Sequence, residues 1–93
     1  MILSFGDKDT EFLFNSKRVK KLSLDISYKA RKKLLVINAA VNENDLLVPP
    51  GNHFEKLKGD MKGWCSIRIN NQWRIKFKWA NGNAHDVTVT DHH

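Results

Sequence analysis

The residues with the clearest chemical potential are cations that occupy alternate positions in two short runs. The runs extend from Trp64 to Ile69 and from Trp73 to Trp79, and in both of them polar residues alternate with apolar ones. Successive side chains of a strand point to opposite faces, so the pattern predicts two paired strands with one apolar face and one strongly basic face. The cations on that face are Arg68, Arg74, Lys76 and Lys78. Such a surface can bind a polyanion or stabilise negative charge that develops in a reaction.

Histidines supply a second kind of chemistry, because imidazole titrates near neutral pH and can accept or donate a proton. The sequence ends with His92 and His93, and its other histidines are scattered. A lone cysteine and histidines at these separations lack the spacing of a zinc site, so we expect no metal and no cofactor. Two histidines at a C-terminus are equally compatible with a tail that has no function.

Helices that support the basic strands are predicted in the N-terminal half. A short helix capped by Asp7 or Asp9 should end near residue 14. A longer helix is predicted at 25–41, because apolar residues recur there at spacings of three and four and would share one buried face. These residues are Ile26, Ala30, Leu34, Ile37 and Val41. Asn42 or Asn44 should cap a further turn that ends near residue 47.

The predicted strands surround this helical region. They lie at residues 1–5, 54–57, 64–69, 73–79 and 86–90. Pro49–Asn52 ends helical structure, and Asn70-Asn71 predicts a tight hairpin turn with positive φ. The sequence thus predicts a single α+β domain, residues 1–93, in which two or three N-terminal helices pack on one side of a small antiparallel sheet.

The charge of the chain is strongly positive, with a formal net charge of +6. Nucleic acid, the ribosome, an acidic protein or an anionic membrane surface would all complement it. The basic connector Lys17–Lys21 is compatible with a solvated loop or with contacts to phosphates or a partner. The sequence contains no secretory signal pattern and no membrane-spanning stretch, and Cys65 lies in an apolar pattern, so we expect a cytoplasmic protein with a buried free thiol.

Several sequence segments together resemble one protein family. The segments PPGN, LKGD, SIRIN and QWRI, with the ending Asp91-His92-His93, resemble the HigB branch of the RelE-like toxins, the killer proteins of type II toxin–antitoxin systems. The resemblance implies a ribosome-dependent endonuclease that cuts mRNA in the ribosomal A site. It also implies neutralisation by a HigA-like helix-turn-helix antitoxin, binding of operator DNA only through that antitoxin, and no membrane partner.

The resemblance implies functional positions at Lys58, Arg74 and the C-terminal pair of histidines, and the chemistry of RNA cleavage suggests the roles that follow. His92 and His93 would transfer protons, while Arg74 and Lys58 would stabilise transition-state charge during metal-independent attack by the 2′-hydroxyl. Glu55 would act as a base or orient a cation. His92 stands where family members commonly have tyrosine. The residues expected to hold the RNA backbone are Lys56, Arg68, Lys76 and Lys78.

Two alternative functions are compatible with the same sequence. A toxin of the related ParE type would share the scaffold but act on DNA gyrase by protein contact. A non-catalytic basic module would bind RNA or assist repression by its antitoxin, with an affinity that falls steeply with salt. Trp64, on the polar side of its strand, is a further candidate for stacking with a base.

Overall fold

The computed structural model describes residues 1–91. In this range, two α-helices pack on one face of a four-stranded antiparallel sheet with the strand order β1-β2-β3-β4. The helices are α1 (Lys8–Phe14) and α2 (Leu24–Ala39). The strands are β1 (Glu55–Lys56), β2 (Trp64–Arg68), β3 (Trp73–Ala80) and β4 (Asn83–Asp91). Three 3₁₀-helices lie at Glu43–Leu47, Pro50–Asn52 and Gly59–Met61. The predicted α+β fold class is confirmed. No described helix has the length and apolar character needed to cross a membrane.

Side-chain caps determine where the helices begin. The Asp7 carboxylate accepts a hydrogen bond from the amide of Thr10, and the Ser23 hydroxyl accepts one from the amide of Ile26. These acceptors satisfy amides that have no partner within the first turn of a helix. Both helices therefore begin immediately after a capping residue.

The buried face of α2 is shorter than the sequence predicts. Ala30, Leu34 and Ile37 are fully buried, but Val41 is 73% exposed because the helix ends at Ala39. The Asp45 carboxylate accepts hydrogen bonds from the amides of Val41 and Asn42, at 2.8 and 3.2 Å. This capping interaction begins the next 3₁₀-helix, so placing Val41 on the buried face was wrong.

The β2–β3 hairpin has the two faces expected from its alternation. Cys65 lies opposite Phe77, and Ile67 lies opposite Ile75. All four side chains are buried in the core with Leu34 and its neighbours on α2. The connection at residues 69–72 contains no residue with positive φ. Instead, the Asn70 side chain accepts hydrogen bonds from the amides of Gln72 and Trp73, each at 2.8 Å. A four-residue loop with its own side-chain cap does not need the positive φ predicted for Asn70-Asn71.

The β3–β4 hairpin closes with a two-residue turn at Asn81-Gly82. Both residues have positive φ, 53° and 76°, which is the geometry of the turn that suits a twisted hairpin. Strand β4 begins at Asn83 rather than at the predicted Asp86, because a bulge interrupts its alternation. At Asp86 the backbone has a φ of 54°, so buried Ala84 and Val87 are three positions apart.

The N-terminal segment lies beside β4 in a parallel orientation. The amides of Leu3 and Gly6 donate to the carbonyl oxygens of Ala84 and Val87, each at 2.8 Å. The predicted strand at residues 1–5 therefore exists only as two isolated bridges. Its contacts cover part of a sheet edge that would otherwise present unpaired backbone groups.

The buried face of α2 generates a prediction about stability. Leu34→Ala should lower the free energy of unfolding by about 2–5 kcal/mol, because Leu34 is fully buried and its truncation leaves a cavity. Leu35→Ala is the matched control at an exposed position of the same helix and should cost less than about 1 kcal/mol. Urea denaturation of both variants measures the difference, and equal costs would contradict this packing.

Candidate active site

The face of the sheet opposite the helices, called the outer face below, gathers most of the predicted cations. Arg74 lies between Arg68 of β2 and Thr90 of β4, and Lys76 lies between Ser66 and Thr88. A small cavity of about 90 Å³ opens on this face. Its lining consists of Glu55, Leu57, Ser66, Arg74, Lys76 and Thr90. This outer-face cavity is the centre of the candidate site.

Arg74 is the most firmly held residue of the cavity. The residue is 9% exposed, and its Nε and Nη2 donate to the Ser66 hydroxyl at 3.1 and 2.9 Å. The same Nη2 also donates to the carbonyl oxygen of His53 at 2.8 Å. Within residues 1–91, Arg74 forms no ion pair and its Nη1 donates no hydrogen bond. The guanidinium is therefore fixed along one edge and keeps its positive charge available to an anion.

The loop that carries His53 is fixed by a buried asparagine. Asn52 is fully buried, and its side-chain amide donates to the carbonyl oxygens of Leu46 and Val48, both at 3.2 Å. The Lys33 ammonium of α2 donates to the Asn52 side-chain oxygen. Burial, with a smaller effect of the neighbouring Lys32, lowers the pKa of Lys33. These contacts connect α2 to the segment whose carbonyl orients Arg74.

Sequence reasoning did not identify Ser66 and Asn52 as parts of the site. Ser66 was recognised only as a polar residue in the β2 alternation, although it is the small hydroxyl among cations on that face. Asn52 belongs to the PPGN segment, which indicates a turn but not the position of the amide. The contact between Ser66 and Arg74 could be inferred from the strand register, whereas that between Asn52 and Lys33 could not.

Two lysines of the outer face share an aromatic neighbour. The ammonium groups of Lys76 and Lys78 lie 5.4 and 4.9 Å from the centroid of the Trp64 ring. Lys78 also lies 3.8 Å from the Asp86 carboxylate. Cation–π contacts of this kind hold the ammonium groups near the ring. Trp64 thus organises the cations, and its predicted stacking with a base stays a prediction.

Other predicted site residues have different positions. Glu55 lines the outer-face cavity, whereas Lys58 is exposed at the start of the Gly59–Met61 turn and does not line it. Lys56 lies opposite Cys65 on the helix side of the sheet, where a hydrogen bond and ion pair with Glu43, at 2.9 Å, raise its pKa. The catalytic candidates His92 and His93 lie outside the described residues.

Arg68 lies at the edge of the outer face, beside the loop that carries His53. Its Nη1 is 3.5 Å from the His53 Nε2, and its Nη2 donates to the Asn71 side chain. Arg68 is also the cross-strand neighbour of Arg74. The structure therefore brings Arg68, Arg74, Lys76 and Glu55 to one surface and leaves Lys56 on the other. No group of three or more potential metal-binding side chains occurs among the described residues.

Comparison with known proteins places this arrangement in a family. The family model described as RelE-like toxin of type II toxin–antitoxin system HigB matches residues 3–93. The chain belongs to the HigB-like toxins. The Vibrio cholerae protein named Toxin HigB-1 is 43% identical over 93 residues, which cover 99% of this chain and 98% of that protein.

A more distant relative and a solved structure are also similar to this HigB-like toxin. The Proteus vulgaris protein named Endoribonuclease HigB is 29% identical over 96 residues and is aligned along the full length of both chains. A chain of the YoeB–YefM complex from Staphylococcus aureus has a TM-score of 0.64 at 18% identity, with 100% of this chain and 99% of that chain covered. At that identity the structural similarity shows the fold alone.

The buried asparagine of this toxin generates a second stability prediction. Asn52→Ala should lower the free energy of unfolding by about 2 kcal/mol or more, because two carbonyl oxygens and the Lys33 ammonium lose their partner. Asn44→Ala, at an exposed position nearby, should change it by about 0.5 kcal/mol or less. Denaturant unfolding compares the two variants, and a neutral Asn52→Ala exchange would refute the anchoring role.

Proposed function

We propose that this HigB-like toxin is a ribosome-dependent mRNA endonuclease whose reaction centre is the outer-face cavity. The observation that carries the proposal is the nine-tenths buried, hydrogen-bonded guanidinium of Arg74, which lies in the cavity without a carboxylate partner among the described residues. The family and the name of the Proteus vulgaris relative support an activity on RNA.

The proposed reaction needs no group beyond the side chains of this chain. A base removes the proton of a 2′-hydroxyl, and that oxygen attacks the adjacent phosphorus. The phosphorane then expels the 5′-oxygen, which receives a proton, and a 2′,3′-cyclic phosphate remains. His92 and His93 are the proposed proton-transfer residues, since imidazole suits both steps at neutral pH. Glu55, in the cavity wall, is the alternative base or the residue that orients a cation.

Arg74 would stabilise the phosphorane. Its Nε and Nη2 are occupied by Ser66 and by the His53 carbonyl, whereas its Nη1 donates to no acceptor within residues 1–91, so its two N–H groups would bind phosphate oxygens. A donor that is already oriented before reaction stabilises developing charge without the cost of reorganisation. Lys76 would add a second charge at the cavity wall, and Lys58 would contribute from the neighbouring turn.

The size of the cavity supports a role for the ribosome. Its volume of about 90 Å³ suits one phosphate group, whereas pockets for larger small molecules are several times bigger. The outer face thus offers contacts to the RNA backbone, from Arg68, Lys76 and Lys78, rather than a pocket for a base. We infer that the ribosomal A site presents the mRNA to the toxin and supplies the codon register.

An antitoxin is the expected protein partner. The matching family description names a type II toxin–antitoxin system. We propose a HigA-like helix-turn-helix antitoxin that neutralises the toxin in the cytoplasm and through which the pair binds operator DNA. The net charge of +6 favours a partner with an acidic contact surface.

Arg74 provides the decisive test of the catalytic proposal. Arg74→Lys keeps the charge but loses the guanidinium geometry, and it should lower the cleavage rate by about 100-fold or more. Arg68→Lys is the matched exchange at the edge of the same face and should cost only a few-fold. The assay is cleavage of a defined mRNA with and without programmed ribosomes, with cut sites mapped by primer extension.

The outcomes of this assay separate the candidate functions. Cuts that need ribosomes and disappear in a folded Arg74→Lys variant support the proposal. A folded variant that cuts at the wild-type rate would overturn the role of Arg74. Intact RNA together with growth inhibition by the wild-type chain would favour a toxin that acts on gyrase.

The lysines beside Trp64 provide a test of RNA binding. Lys76→Ala should weaken RNA binding and make the slope of log K against log salt shallower by about 0.7, the value for one phosphate contact on a single strand. Lys78→Ala should have a smaller effect, because Asp86 already offsets part of its charge. Lys8→Ala, on α1, is the control and should leave the slope unchanged. Fluorescence anisotropy across a salt series measures the three slopes, and identical slopes would argue against RNA on this face.

A further inference from the structure

A second cavity lies in the helical layer, away from the outer face. It occupies the junction between the end of α1, the basic connector and the first two turns of α2, and its volume is about 290 Å³. Leu13, Leu24 and Tyr28 form its apolar walls, while Lys17, Arg18 and Arg31 supply cations. Because α1 and α2 pack on the core face of the sheet, this α1–α2 groove and the Arg74 cavity are on opposite sides of the molecule.

A second stripe on α2 borders the groove. Leu24, Ser27, Tyr28 and Arg31 are spaced three and four residues apart, so they share a face that differs from the buried Ala30–Leu34–Ile37 stripe. Leu24 is 72% exposed and Tyr28 is 66% exposed. Of these residue types, tyrosine and arginine are enriched at protein-binding surfaces.

Two buried polar atoms of residues that line this groove have no hydrogen-bond partner within the described chain. They are the hydroxyl oxygen of Ser27 and the Nε of Arg31, and both atoms are buried. A buried donor without an acceptor costs about 1–3 kcal/mol. Because neither atom reaches the surface of the groove, an incoming carboxylate would have to displace neighbouring side chains to accept a hydrogen bond from them.

The charges at this groove are also uncompensated. Lys17, Arg18 and Arg31 form no ion pair in the part of the chain that the structure describes. Two carboxylates of the same helices are paired with other lysines, Asp9 of α1 with Lys21 and Asp25 of α2 with Lys29, each at 3.3 Å. The groove therefore combines an apolar floor with a positive rim that forms no ion pair among residues 1–91.

We propose that the α1–α2 groove docks an acidic segment of a partner protein that inserts one bulky apolar side chain between Leu24 and Tyr28. Carboxylates of the segment pair with Lys17, Arg18 and Arg31 on the rim. The assignment of this segment to the antitoxin rests on the proposed function. RNA is a poorer fit, because Tyr28 is the single aromatic side chain among the residues that line the groove, and they are not arranged as a track for a strand.

The test selects short random peptides displayed on phage against the immobilised full-length chain, then measures the enriched peptides by fluorescence polarisation. The enriched sequences should combine two or more carboxylates with an aromatic or large aliphatic residue. The double charge reversal Lys17→Glu with Arg18→Glu should weaken their binding by about tenfold or more. Leu24→Asp should weaken peptide binding to a similar extent. Lys17, Arg18 and Leu24 are all exposed, so their substitution does not disturb the core.

Lys8→Glu is the matched charge reversal on α1 outside the groove and should leave peptide binding unchanged. No enrichment, or peptides that bind the groove variants as well as the wild type, would overturn the proposal. A third outcome would also overturn it. In that outcome no acidic peptide is enriched, the wild type binds an oligouridine RNA, and the double charge reversal abolishes this RNA binding. The groove variants should still cleave ribosome-bound mRNA. If the wild type cleaves no RNA, the endonuclease proposal fails while the peptide data still decide the docking proposal.

Discussion

The burial of one guanidinium is the constraint on which the candidate site depends. A charged group loses its hydration when it is buried, so its N–H groups must find acceptors within the protein. Arg74 finds them in the Ser66 hydroxyl on the neighbouring strand and in the His53 carbonyl on the loop before β1. Asn52 ties that loop to the end of the Glu43–Leu47 helix and to Lys33, and these contacts support the position of the carbonyl. The position of the Arg74 side chain thus depends on the sheet register, on the loop before β1 and on helix α2.

The sheet also separates two kinds of surface. Its core face is apolar and holds α1 and α2, while its outer face presents Arg68 and a cavity of about 90 Å³ that Arg74 and Lys76 line. The α1–α2 groove, with its apolar walls and its rim of cations, lies on the helical side. Because the alternation of side chains in β2 and β3 separates the two faces of the sheet, the proposed contacts with RNA and with a protein partner would involve different sides of the molecule.

The bulge in β4 interrupts the alternation of buried and exposed residues from which a strand is predicted. Asp86 adds one residue to the strand and separates buried Ala84 from buried Val87 by three positions. Alternation therefore predicted only the second half of the strand. The same residue places its carboxylate near Lys78, so the bulge moderates one of the cations beside Trp64.

The sequence by itself determined the fold class, the two-faced β2–β3 hairpin, the buried stripe of α2 and the surface that carries Arg74, because these follow from periodicities of two and 3.6 residues. It also indicated the family, through the PPGN, LKGD, SIRIN and QWRI segments. Tertiary structure alone decided that Lys56 lies on the helix side of the sheet, that Val41 is exposed, and that the Asn52 side chain accepts a hydrogen bond from Lys33. Such contacts join residues far apart in sequence, and they depend on loop geometry and chain packing, which no local pattern encodes.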